Sequence, residues 1–336
     1  MPTLYVVEPG ARLEKEYHRL LVTKEDEVLL RVPLAQVSQV VLVGAIGVTT
    51  QALHALLEAE VPILLVRRTG ELLGRLLPPT PRNLPLRQAQ YRRNEDAAFA
   101  LALARAIVSG KLRNQRVLAR RILRRRPEAE RAALADLEAA EAAAPTAPDL
   151  AALRGIEGSG ARAYFALYRQ AFEPTWGFDD RNRRPPRDPI NALLGLGYTL
   201  LSHALMTALE AVGLDPYLGF FHTEKYGRPA LALDLVEEFR APLVDSLVMG
   251  LINRRMLQPD DFETAAASAD AAGGVYLRER GLRLFLREFG DRLEREVQVE
   301  PGGRALSYRK HFEVQARQLA HVIAGEAPVY LPFAAR

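Results

Sequence analysis

The chain has 336 residues, 49% of them hydrophobic, with a net charge of +4, a length that builds one large or two ordinary domains. It contains no cysteine, which excludes disulfides, iron–sulfur clusters and thiolate zinc sites and suits a reducing cytoplasm. The N-terminal MPTLYVVEPG lacks a signal-peptide pattern and no apolar run approaches membrane-spanning length, so a cytoplasmic protein without a membrane partner is expected. Only five of the 45 basic residues are lysine, Lys15, Lys24, Lys111, Lys225 and Lys310. Arginine's fork suits phosphate oxygens, but abundance alone assigns no role, and placement must decide.

In chain order, TLYVVE, RLLVT, EVLLRVP, QVVLVG, PILLVR and ELLGRLL are short Val-, Ile- and Leu-rich runs bounded by Gly, Pro and charge, which predict strands. TTQALHALLEAEV interrupts them as a helix, with Thr50 as its cap and Leu53, Leu56 and Leu57 at helical spacing; His54 there reads as an ordinary residue. LLPPTPRNLPLRQ then carries Pro78, Pro79, Pro81 and Pro85, too many prolines for a helix or a central strand. Thereafter Ala, Leu, Arg and Glu dominate to about residue 325. The fold class expected is α+β: a small β-rich N-terminal domain over 1–77, a Pro-rich linker over 78–90, and a larger all-helical C-terminal domain over 91–336.

Residues 101–127 hold nine basic side chains, including Arg113, Arg116, Arg120, Arg121, Arg124 and Arg125, and no acid; Glu128, Glu130, Asp136, Glu138 and Glu141 follow. A solvated helix usually mixes its signs. Two readings stand: a basic face for a polyanion, or an antiparallel hairpin in which the acids fold back on the bases. Further on, Glu157 lies among Gly155, Gly158 and Gly160, where a backbone, ligand or metal site can approach closely; a helix through them places Glu157, Ala161, Tyr164 and Tyr168 on one face. FDDRNRRPPRDPINALL sets Arg181, Arg183, Arg184 and Arg187 around a Pro-Pro loop, with Asp188 a cap for a helix starting at Pro189. His203, inside that apolar helix, reads as a core residue.

In GFFHTEKYGRPALALDLVEEFR (219–240), His222 precedes Asp234, Glu237 and Glu238, which share a side of one helical turn. One imidazole with two or three carboxylates favours Mn²⁺ or Mg²⁺ over structural zinc. No GxSxG elbow and no P-loop occurs, which argues against a covalent serine hydrolase or an NTPase.

Four stretches, KLRNQRVLARR (111–121), LRGIEGSGARAYF (153–165), RRPPRDPINALLGLGYTLL (183–201) and GFFHTEKYGRPALALDLVEEFR, together resemble the CRISPR-associated spacer-acquisition integrase and endonuclease family (Cas one). SYRKHFEVQARQLAHVIAGE (307–326) is similar to that family's last helix. The resemblance implies a divalent metal, Mn²⁺ or Mg²⁺, held by the catalytic residues Glu157, His222 and Glu237, with Asp234 as a supporting acid and Glu238 as its competitor. Many members carry Asp where Glu237 stands. It further implies DNA contacts from Arg113, Arg116, Arg120, Arg121, Arg183 and Arg184, and substrate positioning by Tyr164 and Asn191. The implied activity is insertion of captured DNA fragments into a CRISPR array by 3′-hydroxyl attack on a phosphodiester, with cleavage of duplex or branched DNA by the same site. The implied partners are DNA, including the CRISPR repeat, a second copy in a homodimer joined through the N-terminal domain, and a small second adaptation protein (Cas two). The alternatives are a non-catalytic DNA-binding scaffold of the same fold, and a metal hydrolase for a small acidic substrate.

Overall fold

Runs of β-branched and leucine residues become strands through the first part of the chain in the computed structural model, which describes residues 3–79, 83–126, 131–182, 185–222, 226–265, 273–299 and 305–335. These are β1 (Thr3–Val6), β2 (Arg12–Glu16), β3 (Arg19–Lys24), β4 (Glu27–Pro33), β5 (Gln39–Val43), β6 (Gly47–Val48), helix α1 (Thr50–Glu58), β7 (Ile63–Val66) and β8 (Leu72–Leu76). All six predicted runs form strands. Arg12–Glu16 and Gly47–Val48 add two more, the first too charged and the second too short to stand out in sequence. One sheet has the order β1-β5-β7-β8, parallel except for β8; the other has the order β4-β3-β2-β6, with β6 parallel to β2. Leu4, Val6, Leu13, Leu20, Val40, Leu42, Leu56 and Ile63 form one buried cluster of strand and α1 residues. The cap of α1 is Thr49 rather than Thr50: its hydroxyl accepts from the Ala52 amide at 3.3 Å.

The remainder is mostly helical: α2 (Leu84–Glu95), α3 (Ala97–Arg125), α4 (Ala132–Ala143), α5 (Leu150–Arg169), α6 (Pro189–Val212), α7 (Ala230–Phe239) and α8 (Ser246–Asn253), then β9 (Phe262–Ala265), β10 (Gly274–Leu277), α9 (Glu279–Glu294), β11 (Glu296–Val297), β12 (Leu306–Ser307) and α10 (Tyr308–Ala324). The chain divides into two compact units, Met1–Thr80 with Leu277–Glu294, and Pro81–Tyr276 with Arg295–Arg336.

The expected α+β class is observed, strand-rich over residues 3–76 and mostly helical afterwards; three details differ. A continuous all-helical domain over 91–336 does not form: the ladders β9–β10 and β11–β12 interrupt it, and α9 belongs to the strand-rich unit. Leu282, Phe285, Leu286, Phe289 and Leu293 bury one face of α9, and Gly290 lets the Tyr5 ring of β1 come close, a Cβ there lying 3.2 Å from it. Helical periodicity cannot say which sheet such a face will cover. The proposed linker is also shorter than 78–90, because α2 starts at Leu84 with Pro85 in its first turn and Asn83 capping the Leu86 amide at 3.3 Å, a place where proline loses no hydrogen bond; Pro81 lies outside the described residues. Finally, α6 is long and apolar enough to cross a membrane by length and composition. Its most apolar window is 61% buried inside the protein, which is the position of a core helix.

Candidate active site

Four segments of the helical unit meet at the site. On α5, Glu157 follows Gly155 and precedes Gly158 and Gly160, and the helix runs through all three glycines. Gly160 is a packing contact: a Cβ would stand 2.4 Å from Leu112 of α3 and 3.1 Å from Ala140 of α4. Gly155 and Gly158 have nothing within 4 Å of a Cβ, so the helix flanking Glu157 is open on that side. Gly160→Ala should therefore cost about 1–3 kcal/mol by overpacking, whereas Gly155→Ala and Gly158→Ala should each stabilise by about 0.5–1 kcal/mol through helix propensity. Urea unfolding of the three variants checks the contrast.

His222 is positioned by Asp234 of α7. The Asp234 carboxylate is fully buried and accepts the amides of Phe220, Phe221 and His222 at 2.7, 3.1 and 2.9 Å. It also faces His222 Nδ1 at 2.8 Å. A carboxylate accepts, so Nδ1 carries the proton and Nε2 keeps its lone pair for the site. Gly219 makes this turn feasible, since a Cβ would lie 2.7 Å from the Ala230 carbonyl carbon and 2.9 Å from Asp234 Oδ2. With all four contacts committed, Asp234 orients the histidine rather than reaching into the site.

Glu237 sits one turn further along α7, 3% exposed. Its Oε1 lies 3.0 Å from Arg240 Nη1 and 3.7 Å from His222 Nε2. Lys111 of α3, 5% exposed, stands between the two site carboxylates: its ammonium pairs with Glu157 and lies 2.7 Å from Glu237 Oε2. Oε2 is buried and has no donor other than that ammonium. Burial pushes the Glu237 carboxyl up, but the Arg240 and Lys111 charges, with a hydrogen bond from Lys111, outweigh it and hold its pKa at about 2. Arg240 opens a π-helical turn, Arg240–Asp245, that follows α7; its guanidinium also covers the Tyr198 ring at 4.8 Å.

The buried Glu237 carboxylate, the partly buried Glu157 carboxylate opposite it and the Nε2 of His222 form a mixed N/O set suited to Mn²⁺ or Mg²⁺. Among the described residues no three such donors stand ready at ligand separation. Lys111 fills the place between the carboxylates, so the space already holds a cation. The donors fit a divalent ion once that ammonium moves.

Glu238 is no competitor for the site. Adjacent helical residues point about 100° apart, and Glu238 faces the C-terminal segment, accepting from Phe333 N at 2.7 Å, Tyr330 Oη at 2.8 Å and Gln315 Nε2 at 3.2 Å. Tyr164 and Asn191 do not present polar atoms to a substrate either. Tyr164 is fully buried and its hydroxyl donates to Asp245 at 2.6 Å, a carboxylate shared with Tyr198 at 2.6 Å. Asn191, also fully buried, ties the loop ahead of α6 together through Asp180 O at 2.9 Å, Asp188 Oδ2 at 2.6 Å and the Asn182 amide at 3.0 Å.

Of the basic run, Arg116 pairs with Glu141 and Arg120 with Glu138 at 2.6 Å, as the hairpin reading of 101–141 supposes. Arg113 is exposed and Arg121 partly so. Glu128, Glu130, Arg183 and Arg184 lie outside the described residues. Lys111 and Arg240 are the site residues that sequence reading missed. Lys111 is one of the nine basic residues of 101–127, which sequence leaves between a basic face for a polyanion and a hairpin with the acids that follow. A signal existed: Lys111, Asn114 and Gln115 are polar at i, i+3 and i+4, and all three are buried.

The family profile described as CRISPR associated protein Cas1 matches residues 4–291. A CRISPR-associated endonuclease Cas1 of Thermus thermophilus is 39% identical over 335 residues, 99% of this chain and 97% of that protein. A Cas4 exonuclease/Cas1 endonuclease fusion of Rhodospirillum rubrum is 39% identical over 333 residues, and this chain spans 56% of its length. Among solved structures, a casposase bound to integration product superposes with a TM-score of 0.85 at 24% identity, covering 99% of this chain and 93% of that one. A Cas6-RT-Cas1--Cas2 complex gives a TM-score of 0.83 at 26% identity over 99% of this chain and 36% of that one.

Proposed function

The chain belongs to the CRISPR-associated Cas1 family, and we propose that its site carries out divalent-metal-dependent phosphodiester transfer on DNA, inserting captured fragments into a CRISPR array and cleaving related substrates. The observation that carries this is that Glu157 and Glu237 flank one ammonium, that of Lys111, with His222 Nε2 3.7 Å from the other oxygen of Glu237. Those three residues would hold Mn²⁺ or Mg²⁺. Such an ion, when bound, neutralises phosphate charge and activates an attacking oxygen, here a DNA 3′-hydroxyl or water. Asp234 fixes the tautomer and direction of His222, Arg240 keeps Glu237 anionic, and the side-chain-free surface at Gly155 and Gly158 leaves room beside Glu157 for a phosphate backbone. Names of relatives and neighbours support this reading: Cas1 endonucleases, a casposase with an integration product, and an assembly that includes Cas2. A small Cas2 partner and cytoplasmic action on DNA follow from it.

The test is strand transfer of a short duplex into a plasmid bearing the CRISPR repeat, with and without Mn²⁺ or Mg²⁺. Product is expected only with the metal. DNA binding with no strand transfer or cleavage under either ion would replace this reading with the non-catalytic scaffold.

A homodimer joined through the strand-rich unit belongs to the same proposal. Strand β4 is the edge of its sheet and exposes Leu29 and Leu30 at 44% and 45%, a combination that invites pairing or covering. Leu29→Glu with Leu30→Glu should convert a dimer to a monomer at micromolar concentration in light scattering. A wild-type monomer under those conditions would remove the dimer.

A further inference from the structure

Lys111 is an unusual occupant for the centre of this site. The chain uses arginine for all but five of its 45 basic residues, yet a lysine stands between Glu157 and Glu237. The two side chains differ in kind. A guanidinium fork holds carboxylates in fixed bidentate pairs, whereas an ammonium is a compact point charge on a four-carbon stem that can swing away. Glu237 already has a fixed partner in Arg240, at 3.0 Å on Oε1. Its Oε2 faces the Lys111 ammonium at 2.7 Å and has no other hydrogen-bond donor.

We propose that Lys111 is the site's exchangeable counter-cation: it holds Glu157 and Glu237 together in the metal-free protein and leaves when a divalent ion enters, thereby setting the metal affinity. This rests on the metal-site reading above. Ligation by both carboxylates requires the space that the ammonium fills, and two cations repel strongly at such separations in a buried setting. Without Lys111 or a metal, Glu157 and Glu237 would face each other with only Arg240 as a buried counter-charge. Lysine therefore keeps the empty site folded and weakens metal binding by competition. The other four lysines have no such position: Lys15 and Lys310 are exposed, Lys24 pairs with Glu8, and Lys225 lies outside the described residues.

Two measurements without catalytic turnover test this. The first is Mn²⁺ titration of the full chain by calorimetry, for wild type, Lys111→Met, Lys111→Gln and Glu237→Ala. Lys111→Met and Lys111→Gln should bind Mn²⁺ about tenfold or more tightly than wild type, with a lower metal-free Tm and a larger rise on adding Mn²⁺; Glu237→Ala should lose the binding. The second uses wild type alone, so a variant that fails to fold leaves the question answerable. Lysine acylation read by mass spectrometry should rise at Lys111 on adding Mn²⁺, with Lys15, Lys24 and Lys310 unchanged. Equal Mn²⁺ affinity in wild type and the Lys111 variants, with loss in Glu237→Ala, overturns the exchange and keeps the metal site. Constant protection of Lys111 under saturating Mn²⁺ does the same. Mn²⁺ binding that is absent, or indifferent to Glu237→Ala, overturns both.

Discussion

Glu157→Ala, His222→Ala and Glu237→Ala should each reduce Mn²⁺- or Mg²⁺-dependent strand transfer by about two to four orders of magnitude, while duplex binding in a gel-shift stays near wild type. Binding persists because backbone affinity comes from many distributed cations, whereas the metal acts on one phosphate. Stability separates the three variants, which activity does not. Glu237 is buried between Arg240 and Lys111, so its removal strands buried positive charge and should cost about 3–5 kcal/mol. Glu157 is 23% exposed and its loss leaves Lys111 paired to Glu237, so the cost should be about 1 kcal/mol or less. His222→Ala leaves Asp234 its three backbone donors and should unfold near the wild-type midpoint. Full activity in Glu237→Ala, with loss in Glu238→Ala, would move the ligand by one residue and sink the assignment.

Glu238 should give the protein a pH-dependent stability that its neighbour does not. Burial raises its carboxyl to about 8, against an ordinary value of 4.5, although Phe333, Tyr330 and Gln315 all donate to it. The sign follows from linkage. Between 4.5 and 8 the folded state binds a proton that the unfolded state has released, so stability from this group is full at low pH and is lost as pH rises toward 8. The loss is up to about 1.4 kcal/mol per pH unit across that window. Glu238→Gln should abolish this slope and be the more stable protein at pH 8.5, because an amide oxygen can keep the Phe333 and Gln315 donors while its NH₂ faces the Tyr330 hydroxyl. Glu238→Ala should cost about 2–4 kcal/mol at the acid end of the range, since it opens a cavity and orphans those donors, and progressively less as pH rises, because only the wild type then ionises a buried carboxyl. The same segment is held by Phe333 stacked on Phe239 at 4.5 Å and by Asn114, which donates to Phe333 O at 2.8 Å. Urea unfolding at pH 6, 7 and 8.5 is the measurement; parallel pH profiles for wild type and Glu238→Gln would refute the account.

Much of this protein is determined by local chemistry that one dimension carries. Valine- and leucine-rich runs between turns became strands, Asp188 with Pro189 began α6, and of the motif residues Glu157 and Glu237 meet at Lys111 with His222 beside Glu237. Tertiary structure decided what depends on direction. Asp234, Glu237 and Glu238 lie within five residues, yet the first orients His222, the second faces Lys111 and Arg240, and the third pins the C-terminal segment, because each step along a helix turns the side chain by about 100°. The same limit explains α9, whose apolar face is plain in sequence while the strand it lies against, β1, is at the other end of the chain. It explains Lys111 most sharply. Charge in sequence carries no sign of facing in or out, and only the packing of α3 against α5 and α7 turned one cation of a basic run into the centre of the site.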